Sequence, residues 1–271
     1  MTGPKEDDNF RIVTLALIVL PMALFMWGAG VDLYDEMRPL FVTLCVLFSL
    51  TLVFLFLTSY LDPGIEPRVP GGQQENGQSL RKRVVDGVTI TEMWCWTCKI
   101  YRLPGTSHCR DCDNCVNDWD HHCPFVGNCI GRRNYGFFTG FITCVSLSAA
   151  VMGASCIVVT AGDEWREHFS PSRVASMAVA AVMLFTLFIA VVLGCFTCFH
   201  MALICSNATT KEWCKAKDRR NLVRRNRMYR VLCACFEPSK LELRKPVPNP
   251  NVHVDVAVSD SGEGGGYTEL L

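Results

Sequence analysis

Residues 95–129 read CWTCKIYRLPGTSHCRDCDNCVNDWDHHCPFVGNC, and they hold seven of the sixteen cysteines and three of the six histidines. Closely spaced Cys-x2-Cys pairs are typical of metal sites in a reducing compartment, where disulfides are disfavoured. A structural zinc ion takes four Cys or His ligands in a closed tetrahedron. The segment therefore predicts a small metal-stabilised module.

Long apolar stretches flank this segment on both sides. Four stretches lack any Asp, Glu, Lys or Arg, namely residues 12–31, 39–61, 134–162 and 174–210. A helix needs about 20 apolar residues to cross the hydrocarbon core of a bilayer. We therefore predict an all-α polytopic membrane protein, with the Cys-rich module, built of small β-hairpins, between its second and third helices. The four transmembrane helices are expected at about residues 12–31, 39–61, 137–160 and 174–205.

The distribution of basic residues predicts the orientation of these helices. Residues 62–133 carry nine Lys and Arg and the chain after Thr210 carries twelve, whereas residues 32–38 and 163–173 carry one and two. Cytosolic segments are the ones enriched in Lys and Arg. Both termini and the Cys-rich module are thus predicted to face the cytosol. We expect an endomembrane location, in the Golgi or the endoplasmic reticulum.

The overall composition excludes several classes of protein. Lys plus Arg and Asp plus Glu are both 26, so the formal net charge is zero. Nucleic-acid binders normally carry a basic excess, and we expect no nucleic-acid partner. Half of the residues are hydrophobic, which also excludes an ordinary soluble enzyme and a disordered chain.

Counting the metal donors leaves some of them unused. Seven Cys and three His give ten candidates, and two closed zinc sites use eight of them. Cys95 with Cys98, and Cys109 with Cys112, form the two Cys-x2-Cys pairs. Each pair needs two further ligands, drawn from His108, Cys115, His121, His122, Cys123 and Cys129. Spacing alone does not fix this partition.

The simplest partition leaves a cysteine beside a histidine. If residues 120–123 are extended, His121 and Cys123 face one side and His122 faces the other, toward a metal. The imidazole of His121 can then take the thiol proton of Cys123, and Asp120 can orient the imidazole. The alternative is a membrane-anchored zinc adaptor or RING-like ubiquitin ligase, which has two zinc sites and no catalytic thiol.

The spacing from Cys95 to Phe138, with Asp120-His121-His122-Cys123 near its centre, resembles the signature of the DHHC family of protein S-acyltransferases, or palmitoyltransferases. Asp62-Pro63-Gly64 resembles the family's DPG motif, and Thr209-Thr210-Lys211-Glu212 resembles its TTxE motif. The resemblance covers residues 12–212. The stretches CKIYR (98–102) and CDNC (112–115) are most similar to the Ras-acylating branch, which implies an accessory subunit as a partner.

The resemblance implies roles for individual residues. It assigns one zinc ion to Cys95, Cys98, His108 and Cys115, and a second to Cys109, Cys112, His122 and Cys129. It makes Cys123 the acyl-carrying nucleophile, His121 the base and Asp120 the orienting acid. Thr210 and Asp62 would support this site.

The resemblance also implies two substrates, a fatty acyl-CoA such as palmitoyl-CoA and a cysteine-bearing membrane-associated protein. The acyl chain is too apolar for water and is expected among the membrane helices. Our candidates for contacts with the acyl chain or the CoA are Phe125, which stands where the family usually has Trp, the small Ser148, and the basic Arg132 and Arg133.

These predictions divide the chain into five parts. Residues 1–61 contain the first two membrane helices, 62–133 the zinc-binding catalytic module and 134–210 the last two helices. Residues 211–245 form a basic cytosolic tail with an amphipathic helix on the membrane surface, and residues 246–271 are expected to be disordered. Within the fourth apolar stretch, His200 is expected to make a hydrogen-bonded helix contact.

Overall fold

A computed structural model describes residues 7–85, 87–161, 173–206 and 208–214, together with positions 231, 233, 236 and 240. The helices in this part of the chain are α1 (Asp7–Gly28), α2 (Gly30–Glu36), α3 (Arg38–Tyr60), α4 (Tyr135–Ala161), α5 (Arg173–Cys205) and α6 (Thr210–Cys214). The strands are β1 (Ile65–Glu66), β2 (Leu80–Val85), β3 (Val88–Cys95), β4 (Ile100–Arg102), β5 (Ser107–Cys109), β6 (Asn114–Val116), β7 (His121–Cys123) and β8 (Asn128–Ile130).

Four helices are long and apolar enough to cross a membrane: α1, α3, α4 and α5 from Ser176 onward, with mean hydropathies of 2.1 to 2.8. The prediction of four such helices is confirmed. Helix α4 lies at the centre of the four. In its most apolar 18-residue stretch 56% of the residues are buried, against 17% in the corresponding stretch of each of the other three helices. Its small residues allow close packing: a Cβ at Gly153 would lie 2.8 Å from Leu187 of α5.

The first helix differs from its predicted range of 12–31. It begins at Asp7 and ends at Gly28, and Ala29 breaks it with a φ of −151° and a ψ of 0° before α2. The apolar stretch starts at Ile12, so a search for apolar residues leaves out a polar first turn that continues the same helix. That turn carries Asp7 and Arg11 toward the module.

The module between α3 and α4 is made of short antiparallel hairpins, as predicted. Its sheets have the strand orders β1-β6-β5, β2-β3-β4 and β7-β8. The fold is thus helical in its apolar part and β-structured in the Cys-rich part.

Two asparagines attach the module to the end of α3. The Nδ2 of Asn128, on β8, donates to the carbonyls of Thr58, Ser59 and Leu61 at 2.9–3.2 Å. The Nδ2 of Asn134 donates to Thr58 at 3.2 Å. The last turn of a helix leaves carbonyls without helical partners, and here the buried amide of Asn128 satisfies several of them at once.

A hydrogen bond joins α4 and α5 beneath the module. His200 Nδ1 lies 3.1 Å from the Tyr135 hydroxyl, and both side chains are buried. This confirms the expectation that His200 makes a hydrogen-bonded helix contact.

The predicted amphipathic helix within residues 211–245 lies outside the described residues, apart from α6 and isolated positions of the tail. Residues 246–271 lie wholly outside them.

Replacing Asn128 with Ala should weaken the attachment of the module to α3. Buried carbonyls would lose their donor, at a cost of about 1–3 kcal/mol in the free energy of unfolding. We expect a lower melting temperature for the purified protein in detergent. The exposed amide of Gln73 offers a matched control: Gln73→Ala should leave the melting temperature unchanged, and an equal change in both variants would contradict this role of Asn128.

Candidate active site and metal centres

Eight of the ten donor residues form two groups of four. Within each group the ligand atoms all lie within 4.8 Å of one another. The groups are Cys95, Cys98, His108 and Cys115, and Cys109, Cys112, His122 and Cys129. They contain the same residues as the two sets that the resemblance implied.

Hairpin register brings the first group together. Cys95 ends β3, and Cys98 lies in the turn to β4. His108 and Cys115 are directly opposite each other on β5 and β6. Lys99 follows the Cys-x2-Cys pair with a φ of 56°, a left-handed conformation that closes the turn.

The second group repeats this arrangement one hairpin later. Cys109 and Cys112 lie at the turn between β5 and β6, and Asp113 follows them with a φ of 48°. His122 and Cys129 are opposite each other on β7 and β8. The β5–β6 hairpin thus contributes to both groups, which links the three hairpins into one unit.

The spacing within both groups fits a tetrahedral ion. His108 Nδ1 lies 3.4–3.8 Å from the sulfurs of Cys95, Cys98 and Cys115. His122 Nδ1 lies 3.4 Å from the Cys112 sulfur and 3.7 Å from that of Cys129. A zinc ion with bonds of about 2.3 Å to sulfur and about 2.0 Å to nitrogen would set its ligand atoms about 3.5–3.8 Å apart. Both groups can therefore hold a metal ion.

Cys123 lies outside both groups, next to a buried carboxylate–imidazole pair. Asp120 is 1% exposed, and its Oδ2 lies 2.9 Å from His121 Nδ1. Thr210 donates to the same carboxylate from its backbone N–H at 3.0 Å and from its hydroxyl at 2.6 Å. Because Nδ1 of His121 faces Asp120, its Nε2 is the nitrogen available to the Cys123 thiol.

The electrostatics of this site favour a charged imidazole. Burial acts to raise the pKa of Asp120, but the hydrogen bonds from His121 and Thr210 outweigh it and hold that pKa well below its usual range. Burial acts to lower the pKa of His121, but Asp120 and the Cys123 sulfur outweigh it and raise the pKa to about 9. His121 can therefore hold a proton at neutral pH.

Aromatic side chains from the helices support the His121 ring. Phe138 of α4 contacts it edge-on, with ring centroids 5.2 Å apart and an angle of 71°. His200 of α5 follows at 6.2 Å. The site therefore lies where the module meets the ends of α4 and α5.

The predicted arginines and Asp62 form ion pairs. Arg133 donates to the Asp62 carboxylate at 2.9 Å, and Arg132 lies 3.3 Å from that of Asp118. Asp62 also accepts from the backbone N–H groups of Gly64 and Ile65. These contacts give Asp62 and Arg133 a role in joining α3 to the module, and a contact with CoA phosphates stays a prediction for both arginines.

Phe125 and Ser148 lie in different parts of the fold. Phe125 is 54% exposed and contacts Phe10 of α1 edge-on. Ser148 is buried in α4, and its hydroxyl lies 3.3 Å from that of Thr51 in α3. Contacts of either residue with an acyl chain remain predictions.

Sequence reasoning missed two residues that touch this region. Asp7 Oδ2 lies 2.8 Å from His122 Nε2, although the two residues are 115 positions apart. The second is Asn128, which donates to the last carbonyls of α3. No local sequence pattern points to Asp7. A predicted β7–β8 hairpin would have pointed to Asn128, because its register places Asn128 opposite Cys123.

Residues 88–217 match the profile of the DHHC palmitoyltransferase family. "Protein S-acyltransferase 8" of Arabidopsis thaliana is 31% identical over 274 residues, covering 89% of this chain and 67% of the relative. The chain belongs to the DHHC palmitoyltransferase family. The one-letter codes of Asp120, His121, His122 and Cys123 read DHHC, the motif after which the family is named.

Other members of the family are longer than this chain. "Probable protein S-acyltransferase 5" of Arabidopsis thaliana is 33% identical over 234 residues, which are 78% of this chain and 49% of the relative. "Palmitoyltransferase ZDHHC18" of Mus musculus is 38% identical over 184 residues, which are 62% of this chain and 48% of the relative. The chain thus spans about half the length of several curated relatives. These likenesses do not favour the RING-like alternative.

The raised pKa of His121 predicts a pH-dependent contribution to stability. Its folded pKa of about 9 lies above the ordinary value of 6.5. The stabilisation is therefore complete below pH 6.5 and is lost as the pH rises through about 9. We expect the melting temperature to fall more for the unaltered protein than for Asp120→Asn between pH 6.5 and about pH 10. Equal falls would contradict the Asp120–His121 pair as the cause.

Proposed function

We propose that this protein is an S-acyltransferase that moves a long acyl chain, such as palmitoyl, from acyl-CoA to cysteine thiols of membrane-associated proteins. One observation carries the proposal: within residues 95–129, Cys123 is the cysteine outside both four-donor groups. It lies on the same strand as His121, which contacts a buried Asp120. Membership of the DHHC family supports the same activity.

The reaction has two steps, acylation of Cys123 and transfer of the acyl chain to a substrate cysteine. His121 holds the proton of Cys123, in keeping with its raised pKa, and the thiolate attacks the carbonyl carbon of the acyl-CoA thioester. A new C–S bond to Cys123 forms, the C–S bond to CoA breaks, and the CoA sulfur leaves with the proton from His121. In the second step His121 takes the proton of a substrate cysteine, whose thiolate attacks the acyl-enzyme. The acyl chain leaves Cys123, which regains its proton.

Three groups hold His121 in position for these transfers. Asp120 accepts from Nδ1 and stabilises the imidazolium that forms in each step. Thr210 fixes Asp120 with two hydrogen bonds. Phe138 packs against the edge of the ring. Rotation of the imidazole away from the thiol would break its contacts with Asp120 and Phe138.

Two zinc ions would serve as structural metals. Each donor group contains four Cys or His ligands, which complete a tetrahedron and leave no position for a substrate. When bound, the ions supply fixed links between the hairpins. The residues that carry out the acyl transfer are then Cys123, His121 and Asp120, with Thr210 in support.

The bilayer supplies the environment for the acyl chain. Each buried CH₂ group is worth about 0.8 kcal/mol, so the chain is expected among α1, α3, α4 and α5 rather than in water. The bias of basic residues supports a topology with both termini and the module in the cytosol. An endomembrane location, an accessory subunit and the five-part domain division stay predictions.

Replacing Cys123 with Ser should abolish acyl transfer without removing metal. The test incubates purified protein with a labelled palmitoyl-CoA and measures hydroxylamine-sensitive label on the enzyme by intact mass. The variant should take up no acyl chain while its zinc content stays at two ions per chain.

Cys98→Ser is the matched control, since it should lower zinc content and destabilise the fold. Retained label on another cysteine in Cys123→Ser would show that the nucleophile is wrongly assigned.

Thr210→Val should slow the reaction by loosening Asp120. Valine has a similar shape but lacks the hydroxyl that donates to Asp120 at 2.6 Å. Losing a hydrogen bond to a charged group costs about 1.5–3 kcal/mol, or about 10- to 100-fold in kcat/KM. Thr210→Ser keeps the hydroxyl and should stay near the original rate. If both variants were equally slow, the hydroxyl would have no such role.

A further inference from the structure

The two histidines of the donor groups differ in what contacts their second nitrogen. Both face their group through Nδ1. Nε2 of His108 lies 3.5 Å from Asp113, a surface carboxylate that is 59% exposed. Nε2 of His122 lies 2.8 Å from Asp7, and the side chains of this pair are only 9–10% exposed. A short, buried contact of this kind holds an imidazole in one orientation far more firmly than a long contact in water.

Asp7 comes from a distant part of the chain. It lies in the first turn of α1, which is otherwise an apolar helix. One helical turn later, Arg11 packs over Gly127, where a Cβ would lie 2.6 Å from the Arg11 side chain. Phe10 contacts Phe125 with ring centroids 6.1 Å apart. One turn of α1 therefore contacts both the second donor group and the loop that follows Cys123.

We propose that Asp7 is a positioning residue: it orients His122 for the second metal ion, and it thereby makes the first apolar helix a part of that metal site. A histidine that binds a metal through one nitrogen usually donates its other N–H to a carboxylate or carbonyl, which fixes its tautomer and orientation. His122 and Asp7 have this arrangement. The proposal rests on the proposed zinc content, but it does not depend on acyl transfer.

The arrangement has a consequence for the nucleophile. Cys123 follows His122 directly on β7. An imidazole held between the donor group and Asp7 limits the movement of the strand that carries the thiol. Asp7 thus links the position of α1 to the position of Cys123 without touching the reacting atoms.

The test measures metal release from each site separately. Purified full-length protein in detergent is treated with excess chelator, and freed thiols are trapped with N-ethylmaleimide and located by peptide mapping. In Asp7→Ala we expect Cys109, Cys112 and Cys129 to become labelled about 10- to 100-fold faster than in the unaltered protein. Cys95, Cys98 and Cys115 should be labelled at the original rate. Asp7→Asn, which keeps the shape of the side chain, should shift the same three cysteines in the same direction.

Asp8 provides the matched control, because it is the next carboxylate on the same turn and its exposed side chain pairs with Arg11 rather than with His122. Asp8→Ala should leave both rates unchanged. Faster labelling at both sites in the Asp7 variants would indicate general loosening of the fold, and unchanged labelling would show that Asp7 does not position His122. Either result overturns the proposal. A protein that released zinc as expected but formed no acyl-enzyme would contradict the proposed function and leave this inference standing.

Discussion

An extended strand places neighbouring side chains on opposite faces, and the site depends on this constraint at β7. His122 faces Cys112 and Cys129, whereas His121 faces Asp120 and the side of the Cys123 thiol. A helical backbone would place these consecutive residues about 100° apart around an axis rather than on two opposed faces. His122 therefore belongs to a four-donor group on one side of the strand, and His121 and Cys123 form the proposed reactive pair on the other.

Two apolar helices, α1 and α3, and the short helix α6 contact the hairpin that carries this strand or the residue before it. Asp7 of α1 contacts His122, the last carbonyls of α3 accept from Asn128, and Thr210 beyond α5 donates to Asp120. Each contact is a hydrogen bond to a buried group, and each would leave a polar atom without a partner if its helix moved away. The residues proposed to react lie in a small module, but their positions are set by the helices around it.

Much of this architecture follows from local sequence patterns. Apolar stretches longer than about 20 residues can form only a few kinds of structure, so the four long helices were predicted correctly. The Cys-x2-Cys spacing and the cluster of ten donors indicated two metal groups. Counting left the partition of ligands open, because hairpin register decides which His and Cys lie opposite each other. The first helix begins at Asp7, before the apolar stretch that starts at Ile12, since hydropathy does not detect a polar turn that continues an apolar helix.

Local sequence alone is enough to predict the apolar helices and the ten metal donors, two more than two closed sites need, because each depends on residues close together in the chain. The folded structure alone shows that Asp7 contacts His122, that Asn128 donates to the last carbonyls of α3 and that Thr210 donates to Asp120. These partners are 115, 70 and 90 positions apart. Their meeting depends on how helices pack against hairpins, and no local spacing encodes that packing.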